Sequence, residues 1–261
     1  MNIETAKNIN ILGDFCGRRD VEELSKEKLS EKYDITQADV MVLFGGSILA
    51  GGDVLAKAIN DGIAKTYVIV GGVGHTTESL RQIVHGEYPN IETRDLPEAK
   101  IFQSYIRNVY KCEADYLETQ STNCGNNIIY FLNLLREKGI CFKSIILSQD
   151  ATMQNRMDAG LRKYISEDTM IINYATYSAK VFDTGIELAY TKNIHGMWSV
   201  ERYVNLLMGE IPRLSDDPNG YGPKGKNYIA HVDIPENVKT AFEELKAVYG
   251  NETREANSLY A

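Results

Sequence analysis

Apolar residues in this chain fall into short β-branched runs separated by longer stretches of helical periodicity. Asp39–Phe44, Tyr67–Val70, Lys143–Leu147 and Met170–Tyr174 read as strands buried on both faces. Tyr116–Glu118 reads as a shorter strand, and Asn90–Thr93 as a weak one. Between them the pattern predicts a helix from Asp53, as cap, to about Gly62, and one opened by Thr76 or Thr77. Others are predicted from Pro97 to about Tyr110, over Ile128–Leu135 and from Thr152 to about Tyr164. The first 34 residues read as helical and amphipathic, with Ile9, Ile11, Leu12, Val21, Leu24 and Leu29 as the apolar positions. After Tyr174 the pattern changes to a helix over Met197–Met208, an irregular loop over Pro212–Gly225 and an amphipathic helix over Pro235–Tyr249, after which the end frays. Strand–helix alternation of this kind predicts an α/β fold with a mainly parallel sheet of about five strands, covered on both faces and joined by right-handed crossovers. The expected division is a helical extension over 1–35, a ligand-binding core over 36–185 and a helical and loop segment over 186–261 packing on that core.

Four polar or glycine-rich clusters follow the expected strands: Gly45–Gly46–Ser47, Gly71–Thr77, Gln120–Asn123 and Ser148–Asp150. In an open parallel sheet such segments gather along the carboxyl edge, where ligands bind. Gly71, Gly72 and Gly74 allow close approach of a ligand to main-chain N–H groups, and a helix start beside them suits a phosphate or carboxylate. Thr77 stands where a dinucleotide motif carries its third glycine. A binding set follows: Gly45, Gly46, Gly71, Gly72, Gly74, His75, Thr76, Gln120, Ser121, Thr122, Asn123 and Gln149. His75, near a helix N-terminus, is expected neutral and able to bond a ligand or a loop carbonyl.

Charge narrows the partners. A net charge of −8 argues against duplex nucleic acid, which needs a concentrated basic face. No apolar run approaches the roughly 20 residues needed to cross a bilayer. Met1–Cys16 is polar and lacks a signal-peptide pattern, and the four cysteines show neither metal-ligand nor disulfide-framework spacing. The expectation is a reduced, cytoplasmic protein whose partner is a small molecule, with a divalent metal on oxygen ligands left open only for a hydrolase or transferase.

Taken together, Gly71–Thr77, Gln120-Ser121-Thr122-Asn123-Cys124-Gly125, Gln149-Asp150-Ala151-Thr152-Met153-Gln154, Trp198–Tyr203 and Gly220-Tyr221-Gly222-Pro223 resemble the YdcF branch of the SanA/ElyC/YdcF family. The resemblance spans about residues 38–236, and its C-terminal block is the part specific to this branch. It implies a Rossmann-like three-layer αβα fold, no membrane anchor, and an adenosyl-type ligand such as S-adenosylmethionine. It also implies links to envelope and peptidoglycan metabolism. Asp53, Glu98 and Asp150 match acidic positions of the family and are the candidate catalytic residues. Asn126 stands where the family motif carries a glutamate, and an amide cannot act as a general base.

Each candidate has a structural alternative. Asp150 can cap a helix or hold a ribose hydroxyl, an amine or a metal. Arg156 can neutralise a ligand anion or pair with Asp150. Arg202, four residues after Trp198, can lie over its indole while facing the pocket. Cys124 reads as packed and inert, and His85, His195 and His231 as structural or surface residues. Three function classes follow: a binding or sensing protein for an adenosyl compound, a methyltransferase, and a hydrolase or transferase on nucleotide or envelope-precursor substrates. The methyltransferase fits less well, because its glycine motif follows the first strand whereas the cluster here follows the second.

Overall fold

The computed structural model describes residues 2–74 and 76–250. The chain opens with helices α1 (Asn2–Cys16) and α2 (Lys26–Tyr33), then alternates through β1 (Ala38–Phe44), α3 (Ala50–Asp61), β2 (Ala64–Val70), α4 (Thr77–Glu87) and α5 (Glu98–Tyr110). The second half of the core runs β3 (Tyr116–Glu118), α6 (Cys124–Glu137), β4 (Ser144–Ser148), α7 (Gln154–Arg162) and β5 (Met170–Asn173). A hairpin of β6 (Val181–Asp183) and β7 (Leu188–Tyr190) leads to α8 (Val200–Leu214) and α9 (Glu236–Tyr249).

The five core strands form one parallel sheet in the order β3-β2-β1-β4-β5, so the fold is the expected α/β sheet with helices on both faces. Strand alternation sends Met41 and Leu43 to a cluster with α2, α3, α4 and α5, and Val40, Val42 and Phe44 to one with α6 and α7. Phe44 meets Phe131 edge-to-face at 5.8 Å, which fixes α6 against the middle of the sheet. A third cluster gathers α1, the hairpin, α8 and α9 with Ile48, Ala151, Ala175 and Tyr177. Those last four follow β1, β4 and β5, so both ends of the chain pack beyond the carboxyl edge. Among the described residues no helix is long and apolar enough to cross a membrane.

Several local expectations are corrected. The first 34 residues are two helices, because residues 17–25 run along the edge strand: Arg19 bridges Tyr174 and the Asp20 amide donates to the Asn173 carbonyl at 2.8 Å. That segment covers an otherwise open sheet edge. Asn90–Thr93 is no strand; the Ile91 amide closes a turn on the Tyr88 carbonyl, and β3 takes the place beside β2. Asp53 lies within the first turn of α3 rather than capping it, and neither Thr76 nor Thr77 caps α4 through its side chain. α7 and α8 begin two and three residues later than expected, and α8 continues through Pro212 to Leu214. The short antiparallel hairpin, turned at Gly185 with φ 87°, has too little periodicity in its three-residue strands to be anticipated. The expected fraying of the C-terminus concerns residues 251–261, which lie outside the described residues.

Candidate functional site

Strand order reverses between β1 and β4, so the loops that leave them, 45–49 and 149–153, diverge to opposite sides. That divergence opens a crevice at the carboxyl edge. The structure sorts the candidate residues around this point into distinct groups.

The first group centres on Glu98, at the start of α5. Its amide and that of Ala99 donate to the Gly72 and Gly71 carbonyls at 3.0 and 2.9 Å, so α5 begins directly behind the glycine loop. The side chain lies across the ends of β1 and β2. A Cβ on Gly45 would meet Glu98 Oε2 at 2.5 Å, and one on Gly71 would meet Glu98 Cβ at 3.0 Å. Both glycines therefore make room for the glutamate. Thr76 and Thr77 donate their hydroxyls to Glu98 Oε1 at 2.7 and 2.9 Å, while Thr77 Oγ1 accepts from the Gly74 amide at 2.8 Å. The threonines thus hold a carboxyl group instead of capping α4. Burial outweighs these two bonds and the Arg81 charge, and pushes the Glu98 pKa up to about 7. Glu98 can therefore give or take a proton near neutral pH.

Beside it, Gly46 and Gln149 face each other across the crevice. Gly46 has no positive φ, and a Cβ there would meet only Gln149 Oε1, at 3.8 Å. No described residue requires glycine at this position. Gln149 is 1% exposed; its Oε1 accepts from the Asp150 amide at 2.6 Å, and its buried Nε2 has no partner among the described residues. Ser148 Oγ is buried and unpartnered as well, at the end of β4. Two buried polar atoms left unmatched at the switch point are costly to the folded state.

Other candidates have structural partners. A side chain on Gly72 would collide with the Ser121 carbonyl, so this glycine serves loop packing, with its amide 3.3 Å from Ser121 Oγ. The space expected for a ligand against Gly72 is thus filled by the next loop. Asn123 caps α6 through Oδ1 to the Asn126 amide at 2.9 Å, and the Asn126 side chain reaches back to Thr122 Oγ1 at 3.4 Å. Gln120 and Thr122 are exposed, and Gly74 borders the Thr122 carbonyl. Asp150 Oδ1 accepts from the Thr152 amide and hydroxyl at 3.0 and 2.9 Å and from the Tyr177 hydroxyl at 2.5 Å. It shapes a turn ahead of α7 and is not that helix's cap. Burial raises its pKa. Arg156 does not pair with Asp150: its Nε and Nη2 bind both oxygens of Glu210 at 2.5 and 3.0 Å. Arg202 lies 5.0 Å over the Trp198 ring, as its spacing suggests. His75 lies outside the described residues.

Sequence spacing missed one constellation. Asp53 Oδ2 is 2.8 Å from His195 Nδ1, and His195 Nε2 is 2.7 Å from Glu87 Oε2. Tyr105 and Tyr110 donate to Asp53 Oδ1 at 2.5 and 2.9 Å. Gly52 permits this, since a Cβ there would come 2.7 Å from the Tyr105 ring. The cluster joins residues up to 142 positions apart, so no local motif announces it. His195 and Glu87 line a cavity of about 540 Å³ with Gln82, Asn193 and Met197; a groove of about 510 Å³ lies between α1 and β6. Neither is lined by a residue of the β1 or β4 loops. The β1 side of the crevice is covered, with Trp198 Nε1 donating to Ser47 Oγ at 2.9 Å. Among the described residues no group of three or more His, Cys, Asp or Glu side chains is arranged to hold a metal ion. No protein-family model matches the chain.

Proposed function

We propose that this protein binds an adenosyl-type small molecule, S-adenosylmethionine in the first place, in the crevice between the carboxyl ends of β1 and β4. The observation that carries the reading is the pairing of Gly46, whose Cβ space is open, with the buried and unpartnered Nε2 of Gln149. A ligand acceptor against that nitrogen would satisfy it, and the bare glycine backbone would admit the ligand closely. The adenosyl identity rests on the resemblance of the loop motifs to the YdcF branch. Gln120, Thr122 and Gly74 extend the same edge toward solvent.

A second reading, a hydrolase or transferase on a nucleotide or envelope-precursor substrate, is favoured by Glu98. A buried carboxyl group titrating near 7 next to the crevice suits general acid–base work.

Thermal melts with a panel of adenosyl compounds test the first reading. At about a hundred times its dissociation constant a ligand should add roughly 2.7 kcal/mol. Gly46→Ala supplies the specific control. The new methyl group meets no close neighbour, so the unliganded protein should hold or gain about 0.4–1 kcal/mol. Crowding a bound ligand with one carbon should cost about 1–3 kcal/mol of affinity. An unmoved melting curve across the panel, or equal calorimetric affinity for wild type and Gly46→Ala, would overturn the assignment of this crevice.

A further inference from the structure

The segment between β7 and α8 lies over the loop that leaves β1, and four separate contacts pin it there. The Ala50 amide donates to the His195 carbonyl at 3.1 Å, and Trp198 Nε1 donates to Ser47 Oγ at 2.9 Å. Gly196, with φ 74°, sits so close to Leu49 that a Cβ would come 2.9 Å from its amide nitrogen. The His195 ring is clamped between Asp53 of α3 and Glu87 of α4. Beneath this strap every residue from Gly45 to Leu49 is buried, and Gly46 in turn faces Gln149 across the crevice. A ligand cannot reach the β1 side of the crevice unless this cover moves.

We infer that residues 194–199 form a lid over the switch-point crevice, latched by the Asp53–His195–Glu87 clamp and released when His195 loses its proton. This rests on the crevice being the ligand site. The chemistry of the latch is that of imidazole. A protonated ring donates from both nitrogens and satisfies two carboxylates together; a neutral ring has one N–H, so a lone pair must face one carboxylate oxygen at under 3 Å. The groups facing His195 are Asp53 from α3, Glu87 from the end of α4, Tyr88 beside it with its ring 6.5 Å away, and Tyr105 from α5 with its hydroxyl 3.4 Å from Nδ1. Tyr110, also of α5, reaches the clamp through Asp53. The charges that act most strongly on the ring are those of the Asp53 and Glu87 carboxylates. Burial disfavours the imidazolium, but the bonds to Glu87 and Asp53 outweigh it and hold the pKa above the ordinary 6.5. The closed lid is thus fully favoured below 6.5 and loses its latch as pH rises through the raised value.

Trp198 is the chain's single tryptophan and sits on the lid, so its fluorescence reports the lid without any ligand. Acrylamide quenching is followed from about pH 5.5 to about pH 9 on the intact protein, where a latch on one imidazole should give a rise of about twofold or more in the quenching constant. The midpoint should lie above 6.5. His195→Gln should show the higher constant at every pH, and Glu87→Gln should move the midpoint down. A flat wild-type titration, or a rise that persists in His195→Gln, would overturn the lid. Because this readout uses no ligand, it separates from the binding test: opening without S-adenosylmethionine binding would keep the lid and remove the adenosyl reading.

Discussion

Glu98→Gln is expected to raise the stability of the protein at alkaline pH while impairing whatever proton transfer the site performs. The glutamate lies 6% exposed at the start of α5, and burial lifts its pKa from 4.5 to about 7. Below pH 4.5 both the folded and the unfolded chain hold the proton, and the group contributes no pH dependence. Between 4.5 and about 7 the folded state keeps a proton that the unfolded state has lost, so stability falls as pH rises. Above that window the whole cost of burying the carboxylate remains, about 3 kcal/mol on the scale of 1.4 kcal/mol per pK unit. Glutamine has the shape of the protonated acid and keeps an oxygen to accept from Thr76 and Thr77. Melting curves should therefore coincide near pH 4.5 and separate by on the order of 5–10 °C near pH 9. Equal melting temperatures at both ends would place the carboxyl in ordinary solvent contact and remove it as an acid–base candidate. A residue that lowers stability at working pH and sits at the carboxyl edge of the sheet fits the general exchange of stability for function.

The fold was legible because the signals that set it are local. Val40–Phe44 and Ile145–Leu147 are apolar on both faces, and each ends at a glycine or a small polar residue where the sheet ends. The edge clusters were legible for the same reason. Their division of labour was not. Gly45, Gly46 and Gly72 look alike in sequence, yet one makes room for Glu98, one leaves open space and one packs on Ser121. That difference is set by what approaches each Cα from another loop. The His195 clamp depends on α3, α4 and the strap after β7 converging, and no spacing encodes it. Arg156 illustrates the same limit. Its near neighbour in sequence is Asp150, but α8 brings Glu210 to it from 54 residues away.

That pair sets the largest expected loss of stability. Arg156 and Glu210 have side chains 11% and 6% exposed and join by two parallel bonds, the geometry in which a guanidinium satisfies a carboxylate best. They tie α7, on the face of the sheet, to α8, in the cluster beyond its edge. Arg156→Met removes the cation and leaves Glu210 buried without its ion-pair partner. Breaking one side of a buried pair costs about 3–5 kcal/mol, so the melting temperature should fall by on the order of 10 °C. Arg156→Met combined with Glu210→Met removes both charges and should recover most of that loss, since apolar replacements of a whole buried pair are often neutral or stabilising. The double variant also decides whether Arg156 belongs to the ligand site. With its Nε and Nη2 already committed to Glu210, the guanidinium has little left to offer an anion in the crevice. If the crevice binds S-adenosylmethionine as proposed, affinity in the double variant should stay within about twofold of wild type, a difference of only about 0.4 kcal/mol. A double variant that regains stability but binds tenfold more weakly would return Arg156 to the ligand set and make the Glu210 pair its positioning device.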